Sequence, residues 1–381
     1  MKIIILEMKK NLILTIFTIF VILGFQITQV EATVRVLPPP SVLPTPRGAT
    51  TAIWNGNNAY IFGGFETWFL DDIVQFNPAT GAVTLLSSPS VLPTARYGMS
   101  AIWDGSNVYI FGGEDSSGYL DEIITFNPTT GAISVLSSPS ILPSARAFTS
   151  AIWDGTNAYI FGGIDSGYYL DEIVQFNPTT GAVTVLLPPS VLPTAREMTK
   201  AIWDDSNAYI FGGRDSSDLL VDDIIKFNPA SGAVTLLSPP STLPSARWVI
   251  SAIWDGNNAY IFGGDLSVMF DSHLNEIVRF NPATGKVIVL PAPDTLPTVR
   301  VYTSAIWDGR RAYIFGGYDG DNLDDIVLFD PPEHLIGKRS SVVGGFSIPI
   351  NKLAILAPYI ALSIFFEIVL AVCIIRLKRR P

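Results

Sequence analysis

The sequence predicts an all-β fold, a six-bladed β-propeller closed by an N-terminal strand, followed by a single C-terminal transmembrane helix. Three observations predict it. A unit of about 50 residues returns six times, each unit contains up to four short strand-like segments, and a long apolar segment stands near the C-terminus. Self-similarity at a period of about 50 residues is typical of propellers, solenoids and repeat arrays. Four short strands per period match one propeller blade.

Each repeat is marked by the tripeptide Phe-Gly-Gly, and successive second glycines lie 49 to 53 residues apart. Every glycine pair ends a short apolar run. Paired glycines at this place indicate a backbone that needs positive φ, or one too close to a neighbour for a Cβ atom. We therefore expect a structural role for the glycine pairs, which are Gly63 and Gly64, Gly112 and Gly113, Gly162 and Gly163, Gly212 and Gly213, Gly263 and Gly264, and Gly316 and Gly317.

The second repeat illustrates the strands of one unit. Residues 99–103 and 108–111 flank an Asp-Gly turn and are predicted to form a hairpin. A third strand is predicted within 120–126, and the turn-forming residues 127–131 separate it from a fourth within 132–136. A string of independent small β-domains is disfavoured, because one four-stranded sheet cannot bury its faces alone.

The two ends of the repeat array complement each other. The sixth repeat stops at Asp330-Pro331-Pro332 with only three predicted strands, whereas residues 33–37 have the pattern of a fourth strand with nothing in front of it. We therefore predict a ring over residues 33–332 in which the N-terminal strand completes the last blade. Closure removes exposed sheet edges, which otherwise promote aggregation.

The repeated residues resemble Kelch repeats. The resemblance rests on Phe-Gly-Gly, a following Leu-Asp-Asp or Leu-Asp-Glu, an aromatic residue before Asn-Pro, and a closing Pro-x-x-Arg, and it covers residues 33–332. One feature departs from the Kelch pattern: the tryptophan usual on the fourth strand is replaced by valine or isoleucine. Instead, tryptophans stand on the first predicted strand, where we expect them to fill the space between blades; they are Trp54, Trp103, Trp153, Trp203, Trp254 and Trp307.

Charged residues also recur once per repeat. Acidic pairs stand at the same place in the repeats, with Asn275 taking the first position in the fifth, and could indicate acid–base catalysis or Ca²⁺ binding. A feature shared by all repeats is explained more simply by the architecture that they share, so we expect the carboxylates to cap turns or to pair with the recurring arginines. These arginines are Arg47, Arg96, Arg146, Arg196, Arg247 and Arg300.

Composition limits the chemistry that the chain can perform. The chain has one cysteine, Cys373, and two histidines, His273 and His334, so we predict no disulfide framework, no metal site and no cofactor. We expect His273 to be a solvated loop residue rather than a catalytic one. Residues 33–337 hold 14 basic and 31 acidic side chains, a net charge of −17, which argues against a nucleic-acid partner.

Function is expected where the repeats differ. Two positions vary most, one directly after the recurring arginine and one directly after the glycine pair. In Kelch-like propellers both open onto one face around the central channel. Exposed aromatic rings beside carboxylates would suit sugar rings or a basic peptide, although individual rings could instead pack between blades. The predicted ligand-binding residues, with no catalytic residue among them, are Tyr97, Phe148, Trp248, Tyr302, Trp68, Tyr168 and Arg214.

The two termini are predicted to target and anchor the chain. Residues 1–32 are interpreted as a signal peptide, with an uncleaved anchor helix as the alternative. After a tether over 333–349, residues 350–381 combine an apolar span with a basic tail and resemble the C-terminal anchors of some archaeal surface proteins. The sequence thus predicts a single-pass protein of the cell membrane, with the propeller outside and the C-terminus in the cytoplasm.

The predicted function is a non-catalytic binding module for a protein or glycan ligand at the cell surface. Two alternatives stay open at this point. One is a sugar-processing enzyme resembling sialic-acid epimerases or sialidases, and the other is a purely structural envelope component. An enzyme requires Arg, Glu and Tyr side chains that converge in a concave pocket, whereas a binder presents a broad aromatic rim.

Overall fold

A computed structural model describes residues 32–332. Over this range the chain is a propeller of six four-stranded antiparallel sheets, as the repeats predict. The predicted signal peptide, tether and transmembrane segment lie outside the described residues. Within residues 32–332, no helix is long and apolar enough to cross a membrane.

The inner half of each blade is a hairpin of two four-residue strands. First strands of neighbouring blades contact one another around the central channel, whereas the second strands are buried at every position. The first strands are Thr51–Trp54, Ser100–Trp103, Ser150–Trp153, Lys200–Trp203, Ser251–Trp254 and Ser304–Trp307. The second strands are Ala59–Phe62, Val108–Phe111, Ala158–Phe161, Ala208–Phe211, Ala259–Phe262 and Ala312–Phe315.

The outer half of each blade pairs a buried third strand with a mostly exposed fourth strand. The third strands are Ile73–Asn77, Ile123–Phe126, Ile173–Asn177, Ile224–Asn228, Ile277–Asn281 and Ile326–Asp330. The fourth strands are Thr33–Val36 for blade 6, then Ala82–Leu85, Ile133–Val135, Ala182–Val185, Ala233–Leu236 and Lys286–Val289 for blades 1 to 5. Two-residue strands on the loops after the arginines and glycines are Glu114–Asp115, Gly118–Tyr119, Ile164–Asp165, Tyr168–Tyr169, Arg196–Glu197 and Arg214–Asp215.

The ring closes as predicted. Thr33–Val36 pairs antiparallel with Ile326–Asp330, from Thr33 opposite Asp330 to Val36 opposite Val327. Directly after this strand, the N–H of Leu37 donates to the carbonyl oxygen of Ile326 at 2.8 Å. The N-terminal strand therefore supplies the fourth strand of blade 6, and each blade has two neighbouring blades.

The hydrophobic core lies between the blades. The cluster that joins blades 6 and 1 contains Phe76 of blade 1, whose ring packs edge-on against Tyr313 at 5.2 Å and Phe315 at 5.8 Å. Trp54 and Val83 pack against this same cluster. The corresponding pairs of tryptophan and aliphatic residue pack in the other five junctions, which confirms that the first-strand tryptophans fill inter-blade space.

The glycine pairs are constrained in the two ways that the sequence indicates. Gly112 and Gly113 have φ values of 56° and 100°. A Cβ atom on Gly112 would overlap the carbonyl oxygen of Arg146, and one on Gly113 would lie 2.6 Å from Cγ of Met99. The N–H of Gly113 also donates to the Arg146 carbonyl at 3.0 Å, which links blade 2 to the start of blade 3. All twelve paired glycines have positive φ.

The recurring arginines and acidic residues pair with each other, as expected. Each guanidinium is at most 1% exposed and contacts the second acid of the pair in the blade that follows the arginine along the chain. Asn275 in the fifth repeat therefore replaces a residue that takes no part in the ion pair. Because the arginines are buried and the acids are partly exposed, removing an acid would leave a desolvated guanidinium without its counter-charge. The ion pairs are Arg47–Asp72, Arg96–Glu122, Arg146–Glu172, Arg196–Asp223, Arg247–Glu276 and Arg300–Asp325.

Candidate functional site

The two variable positions of each repeat are cross-strand neighbours on one face of the propeller. In every blade the residue after the recurring arginine pairs antiparallel with the residue after the glycine pair. The same backbone arrangement therefore presents six different pairs of side chains. These pairs are Gly48 and Phe65, Tyr97 and Glu114, Ala147 and Ile164, Glu197 and Arg214, Trp248 and Asp265, and Val301 and Tyr318.

Six residues in the left-handed backbone conformation form a ring around the channel opening on this face. The second residue after each recurring arginine has φ between 49° and 67°. The N–H of one such residue donates to the carbonyl of its equivalent in the preceding blade at five of the six junctions, with distances from 2.7 to 3.2 Å. Positive φ is costly for aromatic and β-branched side chains, so this ring stores local strain. Its members are Ala49, Gly98, Phe148, Met198, Val249 and Tyr302.

Above this ring lies a cavity of about 440 Å³, which we call the aromatic cleft. Five rings line it together with Gly48, Ala49 and Asn322, and no charged side chain of residues 32–332 does. Within the cleft, Tyr302 stacks on Phe270 with ring centroids 5.6 Å apart. Blades 1, 2, 5 and 6 contribute the aromatic residues, which are Phe65, Tyr97, Phe270, Tyr302 and Tyr318.

Tyr97 connects the cleft to its surroundings. Its ring stacks on Phe69 at 4.9 Å and meets Phe148 edge-on at 5.4 Å. Its hydroxyl donates to Oε2 of Glu114 at 2.9 Å. Burial and this hydrogen bond raise the pKa of Tyr97, and burial also raises the pKa of Tyr302. Both phenols are therefore neutral around neutral pH.

A cluster of charged residues adjoins the cleft on blades 3 to 5. The guanidinium of Arg214 donates to Asp218 at 2.7 Å and lies 3.8 Å from the carboxylate of Glu197. The Tyr169 hydroxyl donates to the same Asp218 oxygen at 2.6 Å. Arg214 also lies 5.4 Å from the ring centroid of Trp248, within cation–π range. This cluster positions a buried acid, Glu197, beside the channel opening.

Burial raises the pKa of the Glu197 carboxyl to about 7, against a lowering effect of Arg214. The unperturbed value is 4.5. Because the folded chain holds this proton more tightly than the unfolded chain, the contribution of Glu197 to stability is most favourable below pH 4.5. The free energy of unfolding should then fall by about 3 kcal/mol at most as the pH rises to the folded pKa, and stay lower above it.

Glu197→Gln should remove this loss. We expect the variant to match the wild type near pH 4.5 and to be the more stable of the two at pH 8, by about 1–3 kcal/mol. The measurement is chemical denaturation of the full chain across this pH range. Asp171→Asn, at an exposed position, should keep the wild-type profile. A Glu197→Gln profile parallel to the wild type would contradict this account of Glu197.

The structure brings together only some of the predicted ligand-binding residues. Tyr97 and Tyr302 line the aromatic cleft, and Phe148 contacts Tyr97. Arg214 adjoins the cleft through the charged cluster. Trp68 and Tyr168 are 77% and 74% exposed, as expected of free loop residues, but they do not line the cleft.

The expectation that Trp248 is exposed is wrong, since only 1% of this residue is accessible. Phe270, from the long loop of blade 5, stacks on its ring at 4.7 Å, and the indole N–H donates to the Ser267 carbonyl at 3.2 Å. The expectation that His273 is solvated is also wrong. Its side chain is 9% exposed, and Nε2 lies 3.1 Å from Oδ2 of Asp265. Both residues hold the long loop against the propeller.

Four residues of this region are missing from the predicted ligand-binding set. Phe65, Phe270 and Tyr318 belong to the variable loops but are not singled out by the sequence, and Glu197 is not flagged as a buried acid. One signal for Glu197 exists: it is the only charged residue at the position after a recurring arginine. Within residues 32–332, no group of three or more His, Cys, Asp or Glu side chains is arranged to hold a metal ion.

Comparison with known proteins agrees with the architecture. The profile of the KLHDC2/KLHL20/DRC7 Kelch-repeats domain matches residues 24–201 and 182–335. A segment of 111 residues, 29% of this chain, is 33% identical to the Kelch domain-containing protein PF0436 of Pyrococcus furiosus. The match spans 32% of the length of that protein.

Proposed function

Because the chain belongs to the Kelch-repeat family, whose propellers commonly bind proteins, we propose that it is a non-catalytic binding module that holds a segment of another protein in the aromatic cleft. The observation that carries this proposal is the cleft itself. Five aromatic rings from four blades surround about 440 Å³ at the positions where the repeats differ. Side chains that recur in every blade are explained by the architecture that the blades share, whereas this asymmetric set of rings is not.

The chemistry of the cleft favours an apolar or cationic side chain of the ligand. Aromatic faces attract ammonium and guanidinium groups, and in the part of the chain that the structure describes no lysine or arginine lines the cleft to compete with them. The net charge of −17 over residues 33–337 attracts basic partners over longer distances. A glycan ligand would need convergent hydrogen-bonding groups, and Tyr97 already uses its hydroxyl in binding Glu114. A basic peptide segment is therefore the ligand that we propose.

The sugar-processing alternative receives less support from the cleft. Arg214, Glu197 and Tyr169 are near one another, but they do not line the concave cavity, and Asp218 accepts hydrogen bonds from two of them. The arrangement that such an enzyme requires, with acid, base and cation facing one pocket, is not the arrangement of this cavity.

We further propose that the module acts at the cell surface. The proposal rests on the apolar segment and basic tail within 350–381 and on the signal-like segment 1–32. In this arrangement the propeller is extracellular and the C-terminus is cytoplasmic. Protease digestion of intact cells should degrade an epitope tag inserted in a propeller loop and spare one at the C-terminus. Protection of both tags would contradict the proposed topology.

Binding can be tested by screening the full chain against a displayed random-peptide library and a glycan array. We expect enrichment of peptides that carry Arg or Lys. Tyr97→Ala and Tyr318→Ala should each weaken the selected peptides by about 1–3 kcal/mol, roughly 5- to 150-fold, because each removes a wall of the cleft. Tyr168→Ala, exposed but outside the cleft, is the matched control and should bind as the wild type does. Glycan hits without peptide hits would show that the ligand is a glycan rather than a peptide. Equal losses of affinity in all three variants would show that the ligand does not bind in the cleft.

Two tryptophan variants distinguish a buried ring from an exposed one by their effects on stability. Trp248→Ala should lower the free energy of unfolding by about 3–5 kcal/mol, because it empties a fully buried site. Trp68→Ala, on an exposed ring, should change it by less than about 0.5 kcal/mol. Thermal and urea denaturation of the full chain give both values. A small effect at Trp248 would mean that its ring packs less tightly than its burial indicates.

A further inference from the structure

Below the aromatic cleft the channel narrows to a segment that we call the channel neck. It is a cavity of about 70 Å³ lined by the second and third residues after each recurring arginine, and by Lys200. Lys200 is the first residue of its innermost strand, and none of the residues at the equivalent positions in the other five blades reaches the neck. The lysine side chain is thus an addition to an otherwise sixfold arrangement.

Hydroxyl pairs join most neighbouring blades at the neck. A serine at the start of one innermost strand bonds to a threonine of the adjacent blade at four junctions. Distances between the two oxygens are 2.7 Å in three pairs and 3.1 Å in the fourth. The pairs are Ser100–Thr149, Ser150–Thr199, Ser251–Thr303 and Ser304–Thr50. Because their threonines line the neck, its wall is rich in hydroxyl groups.

The junction between blades 4 and 5 breaks this pattern. Lys200 stands where four other blades have serine, and Ile250 stands where its threonine partner would be. At the same junction, the described residues show no hydrogen bond from the N–H of Val249 to the carbonyl of Met198. The ring of backbone hydrogen bonds is therefore open at this point. At this one junction a lysine and an isoleucine therefore replace the hydroxyl pair, and one backbone N–H is released from the ring of hydrogen bonds.

The ammonium group of Lys200 has no anionic partner there. Among residues 32–332 it forms no ion pair or hydrogen bond, and no carboxylate lines the neck. Lys200 is half-buried where it lines the neck, and this burial lowers its pKa with no counter-charge to offset the effect. An anion placed beside it would remove this penalty.

We propose that the channel neck binds one small anion, a carboxylate or inorganic oxyanion, between Lys200 and the threonine hydroxyls. Lys200 supplies the charge and up to three donors, and the hydroxyls of Thr199 and Thr149 can rotate to donate as well. The available space admits an anion of a few heavy atoms and no polymer. This site is separate from the peptide-binding cleft that we propose above, and it does not depend on that function.

The test uses the full chain and formate or phosphate as the probe. Ionic strength is held constant with sodium HEPES, whose anion is too large for the neck. We expect the Tm to rise saturably by about 2–4 °C, because a ligand that binds only the folded state stabilises it. Equilibrium dialysis with radiolabelled formate should give one site per chain. Lys200→Met should abolish both effects, whereas Lys286→Met, an exposed lysine on an outermost strand, should keep them.

Lys200→Ser keeps the proposal testable if Lys200→Met does not fold, since four other blades have serine at this position. It should fold and should not respond to the anions. A Tm response of equal size in Lys200→Ser and the wild type would overturn the proposal, because the anions would then act elsewhere. No saturable response in the wild type would overturn it as well, and would mean that channel water alone solvates the lysine.

Discussion

Gly113→Val should prevent folding or lower the free energy of unfolding by at least about 4 kcal/mol. Two causes combine at this residue. Its φ of 100° is a conformation that a β-branched residue does not adopt without strain. A Cβ atom would also lie 2.6 Å from Met99 Cγ and 2.9 Å from the Tyr97 carbonyl oxygen, and backbone cannot move aside cheaply. The measurement is urea denaturation of the full chain, or the soluble fraction on expression if the variant does not fold.

A matched glycine separates the two causes. Gly105, in the hairpin turn of the same blade, has the same φ of 100°, but no atom lies within 4 Å of an added Cβ. Gly105→Val should therefore show the cost of backbone conformation alone, about 1–3 kcal/mol. The difference between the two variants measures the close approach of Gly113 to Met99 and to the Tyr97 backbone within blade 2. Equal losses would show that the contact contributes nothing and that positive φ explains the whole effect.

Much of the fold could be predicted because the same structural requirements recur in all six repeats. Phe-Gly-Gly, the buried arginine and the first-strand tryptophan each satisfy a local need of every blade, so a single sequence carries six independent instances of the pattern. Closure followed from counting strands at the two ends. The pairing partner of each arginine could be narrowed to an acidic pair, and Asn275 already indicated which member was dispensable.

The site could be predicted only in part, because its residues depend on how individual loops fold back. Tyr97 and Tyr302 stand at positions that the repeat places beside the channel, and both line the aromatic cleft. Trp248 stands at the same kind of position as Tyr97, yet Phe270 covers it. Phe270 lies 22 residues after Trp248 in the longest variable loop, and no repeat pattern specifies the path of that loop.

Electrostatic features were harder still to predict from the residues. The raised pKa of Glu197 arises from its burial, and burial follows from a pairing of two loops that differ in every blade. Lys200 is visible in the sequence as an exception to serine, but its meaning depends on Ile250 being its neighbour across a blade junction. Exceptions to a repeat become informative only once the neighbours of each position are known.

The second large effect is expected from removing the strand that closes the ring. Deletion of residues 33–40 should leave blade 6 with three strands and expose the edge of Ile326–Asp330, which now pairs along its length with Thr33–Val36. The deletion also removes Val34 and Leu37, which pack against the inter-blade clusters on either side of blade 6. We expect the Tm to fall by about 10 °C or more, with aggregation through the open edge.

Two point substitutions in the same strand show whether closure acts through packing. Val34→Asp would place a carboxylate against the cluster between blades 5 and 6 and should destabilise by about 2–4 kcal/mol. Arg35→Asp changes the neighbouring exposed side chain and should cost less than about 0.5 kcal/mol, since it leaves the backbone pairing with Leu328 in place. Thermal denaturation and light scattering of the deletion variant and of the two point variants provide the readouts. If the deletion variant melts at the wild-type temperature and stays monodisperse, the N-terminal strand does not hold the ring together, because an open six-bladed array would then be as stable as a closed one.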